Sequence, residues 1–304
     1  MTPLQRYIAE EIATDHADGL MSRREALRRL GLLGLSAIAA SSLLASCAGN
    51  DDVTATTSSA VPATSGSART DAPGMDSAVA TEPITWAGPN GELQGAWAAA
   101  ADPHGGVVVI HENKGLNDWV RSVAGRLAGI GYSALAVDLL SEEGGTATFD
   151  DPAAATAALG KVAPERLVAD VQSGLGETAN RLPDMPLAVV GFCFGGGVTW
   201  RLLAAGEPRI AAAVPFYGPA PDSPDFAGSR QAAVLGFYGA LDERVNATQA
   251  TAQQALDQAG MVNELVVEPD ANHAFFNDTG PRYNPAAAAD AWQRLQDWFA
   301  EHMD

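Results

Sequence analysis

The sequence predicts an α/β fold, a mostly parallel central sheet with helices on both faces, and three observations lead there. Short apolar runs bounded by Gly, Pro or Asp recur through residues 82–304 with little polar alternation, as in strands buried on both faces. Segments of helical periodicity separate them, the βαβ order that gives parallel pairing. With 304 residues, 47% of them hydrophobic, the chain can bury one large core or two small ones, enough for an enzyme domain.

The first element, residues 1–47, reads as an export signal. Ser22, Arg23, Arg24 and Leu27 in "MSRREALRRL" resemble the twin-arginine pattern, and an apolar run from Leu30 to Leu44 follows. That run falls short of the ~20 residues that span a bilayer comfortably. It ends in "LASC", Leu44–Cys47, which resembles a lipobox, making Cys47 the candidate acylation site and a membrane surface a partner through the lipid. An amphipathic helix, an uncleaved anchor or simple signal cleavage are the alternatives. Residues 1–20 precede this pattern, so either they form a long leader or translation starts at Met21.

Residues 48–81 turn to Ser, Thr, Ala, Gly and Asp, too poor in large apolar groups to fold, and read as a flexible tether. The catalytic domain is then 82–304. Its first strand candidate, "ELQGAWAAA" (92–100), reads as an antiparallel edge strand. The buried runs follow: "GVVVIH" (106–111), "YSALAVD" (132–138), "PLAVVG" (186–191), "IAAAVPFYG" (210–218), "AAVLGFYG" (232–239) and "ELVVEP" (264–269). Helical periodicity is expected over 118–130, 164–181, 196–205, 247–259 and 286–302, and 150–160 reads as a surface loop or helix. The formal charge of −19, with Lys and Arg unclustered outside residues 1–30, excludes nucleic acid as a partner.

Reactive groups in such sheets collect beyond the carboxyl ends of strands. There "VVGFCFGGG" (189–197) places Cys193 between a strand and a helix, flanked by Gly191 and Gly195. This is the strand, sharp turn and helix of a nucleophile elbow, with a thiol in place of the commoner hydroxyl. A phosphate-binding glycine loop is the rival, but the run has neither G-x-G-x-x-G spacing nor a G-K-[ST] ending. With Cys47 lipidated, Cys193 has no disulfide partner.

A nucleophile of this kind needs a base and an orienting acid later in the chain. Of the five histidines, His16 and His302 lie near the ends, His104 precedes the parallel strands, and His111 comes before the thiol. His273, after the last apolar strand, remains as base. Asp242 follows the preceding strand in "GFYGALDERV" and is the favoured acid, with the adjacent Glu243 left open by spacing. "HEN" at 111–113 lacks the second histidine of a zinc helix, since Gly115 stands in its place, so no metal is implied.

Together, "GFCFGG" at 191–196, "YGALD" ending at Asp242, "NHAF" around His273 and "HENKGLN" at 111–117 resemble the dienelactone hydrolase (carboxymethylenebutenolidase-like) family, which has the α/β-hydrolase fold. The resemblance implies a Cys193–Asp242–His273 triad, no cofactor, and a small-molecule ester or lactone as substrate. It also implies that Glu112 tunes the thiol and that the Asn113 and Phe194 backbone N–H groups form the oxyanion hole. The family's pocket arginine four residues after the histidine is absent, because Asn277 stands there. Arg282 and Lys114 are the remaining anion-binding candidates, and Tyr217, Phe216, Phe275 and Phe276 the candidate pocket walls. The missing arginine favours a general short-chain esterase as an alternative. A non-catalytic surface lipoprotein using the scaffold as a binding module is the alternative from another class.

Overall fold

The strands lie where the apolar runs are. In chain order they are β1 (Glu82–Ala87), β2 (Glu92–Ala98), β3 (Gly105–Ile110), β4 (Tyr132–Val137), β5 (Leu187–Phe192), β6 (Ile210–Phe216), β7 (Ala233–Gly239) and β8 (Asn263–Glu268). The helices are α1 (Pro3–Ala17), α2 (Arg23–Leu32), α3 (Ala37–Cys47), α4 (Asp118–Gly129), α5 (Pro152–Leu159), α6 (Pro164–Arg181), α7 (Phe194–Ala205), α8 (Glu243–Asn246), α9 (Gln249–Ala259) and α10 (Pro285–His302). The computed structural model describes residues 1–47, 69 and 71–303.

All eight strands join one sheet in the order β1-β2-β4-β3-β5-β6-β7-β8. β3 to β8 pair in parallel, whereas β1–β2 and β2–β4 are antiparallel. This is the mostly parallel α/β sheet expected from the alternating pattern, in the α/β-hydrolase architecture that the resemblance implies. β2 is antiparallel as expected but is not the edge, because β1 covers it from Glu82↔Trp97 to Ala87↔Glu92. Every residue of β3, β4, β5 and β7 is buried, which accounts for runs without polar alternation.

From β3 the chain crosses to β4 on one side and then returns to β5 on the other. The carboxyl ends of β3 and β5 therefore lie side by side, with Ile110 opposite Gly191, where strand order reverses. Such a switch point leaves a crevice between diverging connections, and it receives the site.

The N-terminal residues are folded onto this body. α1, α2 and α3 pack on one another and bury Leu4, Ile8, Ile12, Ala26, Leu30, Leu33, Ala40 and Leu44. The apolar run Leu30–Leu44 is divided between α2 and α3, and among the described residues no helix is long and apolar enough to cross a membrane. α2 lies against α5, so 150–160 is a capped helix under a cover rather than a surface loop. A Cβ at Gly160 would sit 2.9 Å from Leu33 Cδ2 and 3.3 Å from Ile8 Cδ1. The tether expected over 48–81 is shorter at its C-terminal end, because Val79 N–H donates to Gly125 O and the Arg69 N–H to Asp278. Its remainder, 48–68 and residue 70, lies outside the described residues.

Candidate active site

Cys193 sits between β5 and α7 with φ 56° and ψ −114°, a strained backbone for a residue with a side chain. The turn needs bare neighbours. A Cβ on Gly191 would come 2.1 Å from Gly195 O, and one on Gly195 would come 2.3 Å from Ile110 O. Glycine at these positions lets the elbow press against β3 while holding the thiol above the sheet. Cys193 N–H donates to Phe216 O at 3.0 Å, tying the elbow to the next strand. Phe194, first residue of α7, has no intrahelical acceptor for its N–H, and no described residue accepts the N–H of Asn113. Tyr217 and Ala274, with φ of 36° and 61°, place two further strained backbones at the same site.

Asp242 ends the turn after β7, where one carboxylate oxygen caps α8 through Val245 N–H at 3.2 Å. Its other oxygen meets His273 Nδ1 at 2.6 Å, and both side chains are buried. The structure thus brings together Asp242 and His273, and the adjacent Glu243 is instead the first residue of α8. Burial alone would push Asp242 up, but the imidazole and Arg244 outweigh it and hold the carboxyl below its usual range. His273 Nε2 is buried without a hydrogen bond, facing the space it shares with Cys193. Burial, and after it the Glu11 carboxylate, push the Cys193 thiol up against the pull of His273.

Glu112, just past β3, is buried and does not bond the thiol. Its Oε2 accepts from Asn277 Nδ2 at 2.8 Å and its Oε1 from the Tyr217 hydroxyl at 3.4 Å. Burial raises its pKa, with Lys114 and Asn277 acting in the opposite direction. Asn277 is therefore a site residue that spacing alone did not select. Its signal was its position, four residues after the histidine, with a side chain able to donate to an acid. Tyr217 also meets the His273 ring edge-on, with centroids 5.3 Å apart. Phe216, Phe275 and Phe276 are fully buried beside it as core. His111 is a fixed neutral residue: Nε2 accepts from Leu139 N–H and Nδ1 donates to Glu112 O.

Two of the anion-binding candidates have different surroundings. Lys114 is exposed. Arg282 is engaged by the N-terminal helix through Asp15 at 2.7 Å and Asp18 at 2.6 Å. α1 also reaches the nucleophile: the Tyr7 hydroxyl lies 3.3 Å from Cys193 Sγ, and the Glu11 oxygens lie at 3.5 and 3.6 Å. Arg244 stacks over the Tyr7 ring at 4.6 Å. One ligand-type atom from each of Glu11, Cys193 and His273 lies within 4.8 Å of the others, and these are atom types that zinc accepts.

The site combines a thiol on a strained elbow, an imidazole held by a buried acid, and free amides beside the thiol, a set suited to acyl transfer. The profile of the Dienelactone hydrolase family matches residues 93–303. A Salmonella typhimurium protein described as a candidate carboxymethylenebutenolidase is 38% identical over 213 residues, covering 64% of this chain and 77% of that one. An Escherichia coli protein of the same description is 36% identical over 208 residues, covering 64% and 76%. A Klebsiella pneumoniae crystal structure described as a candidate dienelactone hydrolase superposes with a TM-score of 0.63 at 33% identity, covering 73% of this chain and 99% of that one. A dienelactone hydrolase-like promiscuous phosphotriesterase from metagenomic libraries superposes with a TM-score of 0.61 at 26% identity, covering 74% and 100%.

Proposed function

Because the chain belongs to the dienelactone hydrolase family, we propose that its hydrolase chemistry is cleavage of a carboxylic ester or lactone through a thioester on Cys193. The observation that carries this reading is the buried Asp242–His273 contact of 2.6 Å, with the unfilled Nε2 turned to the space it shares with the thiol of a strained elbow. His273 takes the thiol proton as sulfur attacks the carbonyl carbon. The S–C bond forms while the carbonyl electron pair moves onto oxygen, where the Asn113 and Phe194 amides receive it. As the C–O bond breaks, His273 returns the proton to the leaving oxygen, which for a lactone stays on the same molecule. Water then attacks the thioester, gives a proton to His273, and the thiol is regenerated. Asp242 holds the ring in the tautomer that presents Nε2 to the thiol. Glu112, bonded to Asn277 and Tyr217, acts through the field it sets beside the thiol.

Asn277 favours a neutral ester or lactone over a carboxylate-bearing one, because its amide replaces a pocket cation and is spent on Glu112. The twin-arginine pattern and the "LASC" end support export and a lipid anchor at Cys47. Hydrolysis of a short aryl ester by residues 48–304 and by the same residues carrying Cys193→Ala, followed by intact mass, tests the chemistry. Loss of both turnover and a single acyl adduct in the variant is expected, and turnover unchanged in Cys193→Ala overturns the reading.

A further inference from the structure

Residues 1–20 serve no part of the proposed reaction, yet they lie on its centre. We propose that α1 is a built-in occupant of the substrate site, so that the full chain is a latent hydrolase that opens when the N-terminal helices leave. This rests on the reading of Cys193 as the nucleophile.

Three layers of contact support it. The innermost is on the sulfur itself, where the Tyr7 hydroxyl at 3.3 Å and the Glu11 carboxylate at 3.5 Å take the approach an ester carbonyl would need. Cys193 is 2% and His273 4% exposed. The second layer is a clamp at the rim. Arg244 covers the Tyr7 ring, and Arg282 forms a fork to Asp15 and Asp18 with two bonds no longer than 2.7 Å. The third layer is apolar: Leu4, Ile8 and Ile12 are buried where α1 packs on α2 and α3, and this three-helix unit meets the domain through α5, with Leu33 and Ile8 abutting Gly160. A helix bound only at its rim would leave the sulfur open; this one is bound at its rim and at the sulfur, and is braced from behind by α2 and α3.

The chemistry of the occupant fits latency. An acid beside the thiol opposes the thiolate, and the burial that α1 completes opposes it further. Loss of α1 removes both and admits water, which deacylation requires. The location of the candidate processing site reinforces this, because cleavage before Cys47 would remove α1, α2 and most of α3 together.

The test uses the full chain carrying Cys47→Ser, so that iodoacetamide reports on Cys193 alone. Alkylation rate and aryl-ester hydrolysis are compared in that chain, in Ile8→Asp, which puts a charge on the buried face of α1, and in Asp15→Lys with Asp18→Lys, which breaks the clamp at half-buried Asp15 and at exposed Asp18, the C-cap of α1, and leaves the domain untouched. Circular dichroism melts confirm that the domain is folded. Alkylation at least tenfold faster in either opened chain is expected, with protection restored by a peptide of residues 1–20. Equal alkylation in full and opened chains, fast or slow, overturns the proposal. Faster alkylation without ester turnover leaves the occupant standing and removes the nucleophile reading; equal turnover lost on Cys193→Ala does the reverse.

Discussion

Asp242 and Asp278 are both buried acids in contact with a buried base, at 2.6 Å from His273 Nδ1 and 2.7 Å from Arg126 Nη2, yet the two pairs are completed differently. Asp278 has both oxygens filled: Oδ1 accepts from Arg126 and Trp119 Nε1, and Oδ2 from the Arg69 N–H. Its partner is always charged and has no proton to trade. The partner of Asp242 can take up and release a proton, and its second nitrogen has no hydrogen bond. One pair ties the segment before β1 to α4 and the loop after β8. The other leaves a buried ring nitrogen without a hydrogen bond, in a space shared with the Cys193 thiol, which a purely structural pair does not need.

The comparison is open to test, beginning with its largest consequence. Asp242→Asn should lower turnover by roughly 10⁴-fold through the wrong ring tautomer, with little change in melting temperature. Asp278→Asn leaves the Arg126 charge buried without its counter-charge and should cost about 3–5 kcal/mol in denaturant unfolding, with turnover per folded molecule nearly unchanged. An unfolded Asp242→Asn, or a fully folded but inactive Asp278→Asn, would erase the distinction. Gly195→Ala puts a methyl against Ile110 O and should cost about 2–3 kcal/mol while displacing the elbow, so stability and turnover fall together.

Glu268 sharpens the contrast as a buried acid with no cation in contact. Burial, with the neighbouring Asp290 adding to it, raises its pKa from 4.5 to about 7. A raised carboxyl pKa favours the protonated fold, so this contribution is complete below the unfolded value and is lost as pH rises through about 7. Glu268→Gln, neutral at every pH, should therefore match the parent near pH 4 and exceed it by on the order of 1–2 kcal/mol at pH 8. A pH-independent gap between the two unfolding curves would contradict this.

The parallel strands were legible because each is an unbroken apolar run, and α4, α6, α9 and α10 because their periodicity is plain. β1 was not legible: Glu82–Ala87 contains Pro83, has an exposed face, and gains its place only by pairing with β2. Cys193, Asp242 and His273 were readable from strand ends and chain order. The partners of Glu112 were not, since Asn277 and Tyr217 reach it from sequence distances of 165 and 105 residues. The docking of the N-terminal region was not legible for a different reason. An amphipathic or apolar helix that suits a targeting signal has the same residue pattern as one that docks on a domain, and only the position of its partners separates the two.

Those partners also set a schedule. Tyr7 meets Cys193 across 186 residues of chain, and Asp15 meets Arg282 across 267. Residues of α1 thus wait for residues made some 186 to 267 positions later. At the usual ~5–20 residues per second, α1 is unclaimed for on the order of 10–50 s of synthesis. During that interval any factor that recognises residues 1–47 competes with no intramolecular contact to Cys193 or Arg282, whereas afterwards it must first pull α1 off the folded domain. Timing, as much as affinity, then decides which of the two binds α1.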